Sequence, residues 1–219
     1  MNLSGFDAVI LAGGRSSRLN GEPKALLRYN SQSLLRRTLN SVRGARRIAV
    51  VGPDELRVEL DAFIDAEPGT TVVLTREDPP FSGPAAGIGA AVKVLCEGSA
   101  NDDGGAAFRA PLTLILACDM PALGTLPQLL LDAAERNPAV QLVLPVDADG
   151  RTQPLASCID SAALDAAVAG YGPDGLAGMP VRKLLERLES LKLPLASTAT
   201  ADVDTWDDAQ RFGIAPPAP

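Results

Sequence analysis

Short apolar segments alternate with longer segments of helical period along most of the chain. The apolar segments end at turn residues, as buried strands of a parallel sheet do. They predict strands at Ala8–Leu11, Ile48–Val51, Val72–Thr75, Leu112–Ala117 and Leu142–Val146. The segments between them predict helices near Ser33–Val42, Glu55–Ile64, Ala86–Leu95 and Leu126–Arg136. Because this alternation is typical of βα units, we expect a three-layer α/β fold with a mostly parallel central sheet.

The pattern is looser beyond Val146. The predicted elements there are a strand at Gln153–Ile159 and helices at Ser161–Ala169, Val181–Leu191 and Trp206–Phe212. Leu184, Leu185 and Leu188 share one face of the second of these helices, which is therefore predicted to be amphipathic. We expect residues 1–213 to form a single domain.

Two segments lack any period. The segment Gly98–Ala110 is rich in Gly, Asp and Ala and is predicted to be a surface loop. The segment Ile214–Pro219 contains three prolines, which cannot continue a helix, and is predicted to be a flexible tail.

The composition fits an α/β core and excludes several chemistries. Hydrophobic residues make up 46% of the chain and aromatic residues only 4%, so the core must consist of aliphatic side chains. The net charge of −7 argues against a nucleic-acid-binding surface. No apolar stretch approaches the roughly 20 residues of a membrane helix, and three cysteines without a C-x-x-C pair favour the cytoplasm. The absence of histidine excludes an imidazole base, so carboxylates, Lys, Arg, backbone amides and a metal must carry any catalysis.

A glycine-rich turn follows the first predicted strand. Gly13 and Gly14 leave room for a ligand to approach the backbone, whose amides can bind phosphate oxygens. Arg15, Arg18 and Lys24 then place three cations within ten residues of an otherwise acidic chain. The turn matches neither the P-loop nor the dinucleotide-binding pattern. It predicts a polyphosphate site, the alternative being a flexible turn with solvated arginines.

Asp119 is the second candidate, because it follows the apolar strand Leu112–Ala117. Open α/β sheets bind ligands at the carboxyl ends of their strands. Mg²⁺ prefers one or two carboxylates together with waters and substrate phosphates. Asp119 is therefore a candidate Mg²⁺ ligand, the alternative being an Asp that caps the next turn.

The turn resembles the G-G-x-S-x-R-[ML]-…-K signature of molybdenum cofactor guanylyltransferases and related nucleotidyltransferases. Later motifs of that family follow in the same order as Glu77-Asp78, Gly83–Ile88, Ala117–Pro121, Gln153–Leu155 and Asp202–Thr205. The resemblance implies a Rossmann-like nucleotidyltransferase fold with a nucleotide-binding first half and an acceptor-binding second half. The implied reaction transfers GMP from Mg²⁺·GTP to the terminal phosphate of molybdenum-bearing molybdopterin and releases pyrophosphate.

The resemblance also implies roles for individual residues. The implied catalytic residues are Arg18, Lys24 and Asp119. The implied nucleotide-binding residues are Leu11, Ala12, Gly13, Gly14, Arg15, Lys24, Gly52, Asp78, Pro84, Gly87 and Asp119. The implied Mg²⁺ ligands are Asp119 and Asp204, with Asp202 as the alternative to Asp204. Asp204 or Thr205 could instead be the N-cap of the last helix, and Glu77-Asp78 could be a solvated loop pair.

Within the family, the motifs Leu11–Gly14 and Gly83–Gly87 favour GTP over CTP. Two positions depart from the family pattern: Pro23 stands where Asp is frequent, and Gly52 stands where the guanylyltransferases have Asn. A side-chain contact from position 52 to the nucleotide is therefore lost. Alternative functions are a nucleotidyltransferase that uses CTP or a sugar phosphate, and a nucleotide-binding regulatory protein. Expected partners are GTP, a molybdopterin-type acceptor and, transiently, molybdenum-cofactor enzymes or their chaperones, with neither nucleic acid nor membrane.

Overall fold

A seven-stranded sheet forms the centre of the molecule. The computed structural model describes residues 5–14, 19, 21–98, 109–172, 175–195 and 201–214. The strands are β1 (Phe6–Leu11), β2 (Arg28–Tyr29), β3 (Gln32–Ser33), β4 (Arg47–Val51), β5 (Thr71–Thr75), β6 (Leu112–Ala117), β7 (Leu142–Val146), β8 (Ala156–Asp160) and β9 (Ser190–Pro194). The pair β2–β3 forms a separate small hairpin, and the large sheet has the order β5-β4-β1-β6-β8-β7-β9.

The large sheet is mostly parallel, as predicted. Strand β1 pairs in parallel with β4 on one side and with β6 on the other. Only β8 runs in the opposite direction, since it pairs antiparallel with both β6 and β7. The carboxyl ends of β5, β4, β1 and β6 therefore meet at one edge of the sheet, where ligands of open α/β sheets bind.

Helices cover both faces of the sheet and complete the expected three layers. They are α1 (Leu34–Ser41), α2 (Arg57–Ala66), α3 (Pro84–Gly98), α4 (Leu126–Arg136), α5 (Ser161–Ala169), α6 (Val181–Leu185) and α7 (Trp206–Arg211). Successive residues of a strand point to opposite faces. Ala8 and Ile10 accordingly pack with α1, α2 and α4, whereas Val9 packs with α3, α5 and α6. None of the described helices combines the length and the hydropathy that a membrane-spanning segment requires.

The helix predicted at Val181–Leu191 is wrong beyond Leu185. The chain turns there, with the Leu188 amide donating to the Leu185 carbonyl at 3.1 Å, and then forms strand β9. Leu191 and Leu193 are half-buried while their neighbours are exposed, which is the two-residue period of a strand. The parallel pairing with β7 supplies backbone hydrogen-bond partners that an isolated sequence pattern does not reveal.

The carboxyl-terminal segment folds back onto the first half of the chain. Val203 is fully buried with Leu19 and Leu34 in a third apolar cluster. Ile214 belongs to the same cluster and is only 2% exposed, so it is part of the core and not of the predicted tail. Residues 215–219 and most of the predicted loop at Gly98–Ala110 lie outside the described residues.

A buried polar network fixes the opposite end of the sheet. Asp7, at the start of β1, is fully buried and accepts a hydrogen bond from Arg109 Nε at 3.1 Å. The same guanidinium donates to Asp165 on α5 at 2.5 Å and to Thr113 on β6 at 2.6 Å. The network joins the parallel strands β1 and β6 to helix α5 in the outer layer. It lies at the amino ends of β1 and β6, away from their carboxyl ends.

Arg109→Met should destabilise the protein without changing its chemistry. The variant keeps the side-chain volume but leaves the Asp7 carboxylate buried without its cation. We expect a loss of about 3 to 5 kcal/mol in the free energy of unfolding, measured by urea denaturation. Substitution of the exposed Arg136 by Met is the control and should change stability by less than about 0.5 kcal/mol. Equal stability of the two variants would contradict a structural role for the network.

Candidate active site

Backbone hydrogen bonds draw four strand ends together around the end of β1. The Ala12 amide donates to the Val51 carbonyl at 2.8 Å, and the Gly52 amide donates to the Thr75 carbonyl at 2.9 Å. On the other side, the Cys118 amide donates to the Leu11 carbonyl at 3.0 Å. The turns that follow β1, β4, β5 and β6 therefore form the floor of one crevice.

Two adjoining cavities of about 380 and 410 Å³ occupy this crevice. Their sizes are typical of small-molecule sites. The residues that line both are Leu11, Gly13, Gly14, Glu77, Phe81 and Asp119. The first cavity extends towards Pro84 and Gly87, and the second towards Lys24 and Gly52. The sequence-predicted residues Leu11, Ala12, Gly13, Gly14, Lys24, Gly52, Pro84, Gly87 and Asp119 thus all line this crevice.

Lys24 enters the crevice from a short 3-10 helix, Lys24–Leu26. Pro23 precedes it with φ of −63°, the value that its ring enforces, so the departure from the family pattern is compatible with this turn. Ala25 is buried and the Leu27 amide donates to the Lys24 carbonyl at 3.1 Å. These contacts fix the backbone of Lys24 while its long side chain reaches the strand ends.

The ammonium of Lys24 bridges two carboxylates. Its Nζ lies 3.3 Å from Asp119 Oδ2 and also contacts Asp204 Oδ1. Asp119 follows β6, and its carbonyl accepts the Val203 amide at 2.9 Å, which holds the carboxyl-terminal segment over the crevice. Residues that are far apart in sequence thus form one charged cluster at the edge of the sheet.

Burial and charge act in opposite directions on the groups of this cluster. Burial lowers the pKa of Lys24, but the hydrogen bond to Asp204 and the charges of Asp119 and Asp204 outweigh it, so the pKa is raised. Burial raises the pKa of Asp119, although the charge of Lys24 opposes this shift. The pKa of Asp202 is raised as well, by burial and then by the charge of Asp204. The cluster therefore combines a lysine that stays protonated with carboxylates whose pKa values are raised.

The structure assigns the N-cap of α7 to Thr205. The Thr205 hydroxyl accepts the Asp208 amide at 3.2 Å, and the Asp208 carboxylate accepts the Thr205 amide at 3.0 Å. This reciprocal capping box leaves the cap to Thr205, so Asp204 directs its carboxylate to Lys24.

Within the described ranges no group of three or more Cys, Asp or Glu is arranged to hold a metal. Asp119 and Asp204 form a pair, and Mg²⁺ requires no more from the protein.

The wall of the crevice is built by the loop after β5. Glu77 lines both cavities, and its Oε1 accepts the Phe81 amide at 2.9 Å. This bond supports Phe81 in a left-handed conformation, with φ of 66°, where the ring lies 5.2 Å from the Arg76 guanidinium. Asp78 instead lines a neighbouring groove outside both cavities. The sequence pattern did not identify Phe81 as a site residue. Its only signal in the sequence is its position between the acidic pair Glu77-Asp78 and Gly83.

The first turn of α3 closes the crevice from above β1 and β4. Gly83 and Pro84 line the first cavity, so the amino end of this fifteen-residue helix opens onto it. A side chain at Gly87 would lie 3.3 Å from both Leu11 and Val51, so glycine permits the close contact between helix and sheet. Helix amino ends favour negatively charged ligands. The predicted residues Arg15 and Arg18 lie outside the described residues.

Solved structures of other proteins share this fold. Rv0371c from Mycobacterium tuberculosis H37Rv is 25% identical with a TM-score of 0.65, covering 97% of this chain and 98% of that one. A structure of Rv0371c in complex with manganese gives 24% identity, a TM-score of 0.62, and coverages of 95% and 97%. The molybdopterin-guanine dinucleotide biosynthesis protein A of Archaeoglobus fulgidus is 17% identical with a TM-score of 0.63, and the coverages are 94% and 96%.

Sequence comparison identifies the family. The molybdenum cofactor guanylyltransferase of Cupriavidus metallidurans is 33% identical over 166 residues, which are 74% of this chain and 72% of the relative. The enzyme of that name from Pseudomonas aeruginosa is 30% identical over 152 residues, 69% of this chain but only 66% of the relative. The family model of the MobA-like NTP transferase domain matches residues 8–191. The match includes strands β2 to β8 and most of β1, and the chain belongs to the family of MobA-like NTP transferases.

Proposed function

We propose that this chain transfers GMP from Mg²⁺·GTP to the terminal phosphate of molybdenum-bearing molybdopterin in the cytoplasm and releases pyrophosphate. The observation that carries the proposal is the cluster of Lys24, Asp119 and Asp204 beside the glycine turn. It combines a cation for phosphates with carboxylates for a metal. The acceptor is inferred from the names of the curated relatives. The buried residues Cys118 and Cys158 are free thiols, which supports a reducing compartment.

The glycine turn supplies the phosphate-binding groups. Gly13 and Gly14 line both cavities and have no side chain that could shield their amides from a ligand. Lys24 lines the second cavity together with these glycines. Backbone amides and a positively charged side chain are the groups that bind phosphates in nucleotide sites.

Asp119 and Asp204 fit Mg²⁺. Their oxygens already share a cation, the Lys24 ammonium, and hard carboxylate oxygens are the ligands that Mg²⁺ prefers. When bound, Mg²⁺ would neutralise charge on the phosphate oxygens. The manganese complex of the related Rv0371c supports a divalent cation in this fold.

The reaction needs no protein base. The terminal phosphate of the acceptor has a second pKa of about 6, so it is largely ionised near neutral pH. One of its oxygens attacks the α-phosphorus of GTP, and the bond from that phosphorus to the bridging oxygen breaks as pyrophosphate leaves. Lys24 stabilises the negative charge of the phosphates, and the rigid strand ends hold the reacting groups in line. The lack of histidine is therefore compatible with catalysis.

Glu77 is the best candidate for reading the base. Glu77 lines both cavities, and Glu55 lines the second one. Guanine presents adjacent N–H donors at N1 and N2, and a carboxylate can accept both. Glycine at position 52 fits closely against its neighbours, because a Cβ atom there would lie 2.5 Å from the Leu56 side chain and 3.3 Å from the Ala12 carbonyl oxygen.

Calorimetry should show that GTP binds more tightly than ATP, CTP or UTP in the presence of Mg²⁺. The expected cause is the pair of donors that only guanine offers to Glu77. Glu77→Gln should reduce the preference for GTP, because the amide can accept one of these hydrogen bonds but not both. Binding of CTP or UTP at least as tight as that of GTP would remove the guanine assignment and favour a CTP-using or sugar-phosphate-using enzyme.

Asp119→Asn should nearly abolish turnover while the protein stays folded. The amide keeps the size of the side chain but removes the charge that binds the metal. We expect the rate of GMP transfer to fall about 100- to 1,000-fold, by analogy with the loss of one oxyanion-stabilising group. The assay follows transfer of labelled GMP and is normalised to folded protein. A variant that transfers GMP at the parental rate would indicate that Asp119 only caps a turn.

Asp204→Asn and Asp202→Asn form a matched pair that identifies the second metal ligand. Asp204 shares the Lys24 ammonium with Asp119, so it is well placed to share a metal ion with Asp119. We expect Asp204→Asn to weaken Mn²⁺ binding in the presence of GTP about tenfold or more, because a charged ligand is lost. The second variant should change it less than about threefold, since Asp202 acts only through its charge at a distance. Titrations followed by electron paramagnetic resonance measure both. The reverse order would make Asp202 the ligand.

A further inference from the structure

Lys24 stands where a metal would bind. Its ammonium contacts both carboxylates of the pair, Asp119 at 3.3 Å and Asp204. The side chains of Lys24 and Asp119 are only 21% and 22% exposed, so their contact is largely shielded from water and salt. We propose that Lys24 acts as the resident cation of this site in the nucleotide-free enzyme, so that a divalent metal is held tightly only after a triphosphate has drawn Lys24 away.

Electrostatics favours such an exchange. A divalent cation placed on both carboxylates would lie within a few ångströms of the ammonium, where two positive charges repel strongly in a partly buried site. The metal must therefore displace Lys24 or bind to one carboxylate alone. Displacing Lys24 costs free energy, and so does binding to one carboxylate instead of two. A site without the lysine would not have this cost. Free metal should accordingly bind weakly.

The architecture identifies Lys24 as the part that moves. Asp119 is held by strand β6 and by the Val203 amide, which donates to its carbonyl. Asp204 is held next to the capping box of α7. The Lys24 backbone is fixed by its 3-10 helix, but its side chain has four rotatable bonds and can reorient without any movement of the fold.

A triphosphate offers Lys24 an alternative partner. Lys24 and the glycine turn line the same cavity, so phosphate oxygens bound at Gly13 and Gly14 would be within its reach. As the ammonium transfers to the phosphates, it no longer competes for the two carboxylates with the metal that accompanies the nucleotide. The two ligands would then bind with positive coupling, because each stabilises the arrangement that the other needs.

Binding of Mn²⁺ to the nucleotide-free protein tests this exchange. Lys24→Met removes the charge and retains an unbranched side chain. We expect the variant to bind Mn²⁺ at least about tenfold more tightly than the parent without nucleotide, measured by electron paramagnetic resonance. It should also bind GTP more weakly, since one phosphate ligand is lost. Lys192→Met, which changes an exposed lysine on edge strand β9, is the control and should leave both affinities unchanged.

A second measurement uses the unmodified protein and does not depend on how the variant folds. Acetic anhydride labels exposed amines, and mass spectrometry compares the initial labelling of Lys24 with that of Lys192. We expect Lys24 to be protected without metal and to become more reactive as Mn²⁺ is added, because the metal releases it from Asp119 and Asp204. The metal concentration at half-maximal labelling should equal the dissociation constant of Mn²⁺.

The outcomes separate this inference from the proposed function on which it rests. Unchanged or weaker Mn²⁺ binding by Lys24→Met, or labelling of Lys24 that does not respond to bound Mn²⁺, would overturn the exchange even if the parent binds Mn²⁺ and GTP together. A parent protein that binds neither GTP nor Mn²⁺·GTP would overturn the proposed function as well. Tighter metal binding by the variant, with the control unchanged, would support the exchange.

Discussion

The ion pairs of Lys24 with Asp119 and Asp204 tie the crevice to the rest of the fold. Asp119 is in place because β6 pairs in parallel with β1, which brings the turns after both strands to the same edge. Asp204 is in place because Val203 is buried with Leu19 and carries the carboxyl-terminal segment back across the sheet. The sheet order and the third apolar cluster are thus both required for three distant residues to meet. An arrangement of this kind binds one cation well, and the chain itself supplies one.

Hydrophobic period was sufficient to predict the central strands β1, β4 and β6, because they are buried on both faces and are therefore nearly uniform in sequence. The same information could not predict β9. Leu184, Leu185, Leu188 and Leu191 are spaced as on one helical face, and Leu191 and Leu193 also fit the two-residue period of a strand. Pairing with the edge of β7 decides between the two, and that edge exists only in the folded protein.

Site residues could be predicted where a residue type suited to ligand binding directly follows a predicted strand. Asp119 follows a buried strand, and Gly13 and Gly14 follow another, so their meeting at the strand ends could be expected. Local sequence could not decide whether Asp204 or Thr205 caps α7, since both residue types are good caps. In the structure Thr205 is the cap, because the Asp208 side chain completes a capping box with it. The orientation of Glu77 towards the cavities, and of Asp78 away from them, depends on loop geometry that the sequence does not encode locally.

The most direct test is release of pyrophosphate in the presence of Mg²⁺, measured for each of the four nucleoside triphosphates with and without molybdenum-loaded molybdopterin. We expect rapid release only when GTP and the acceptor are both present, because the acceptor phosphate is the nucleophile that displaces pyrophosphate. Release that proceeds equally well with another triphosphate would contradict the assignment to guanine. Absence of release under every condition, from a protein that is folded and binds GTP, would contradict catalysis and favour a regulatory nucleotide-binding protein.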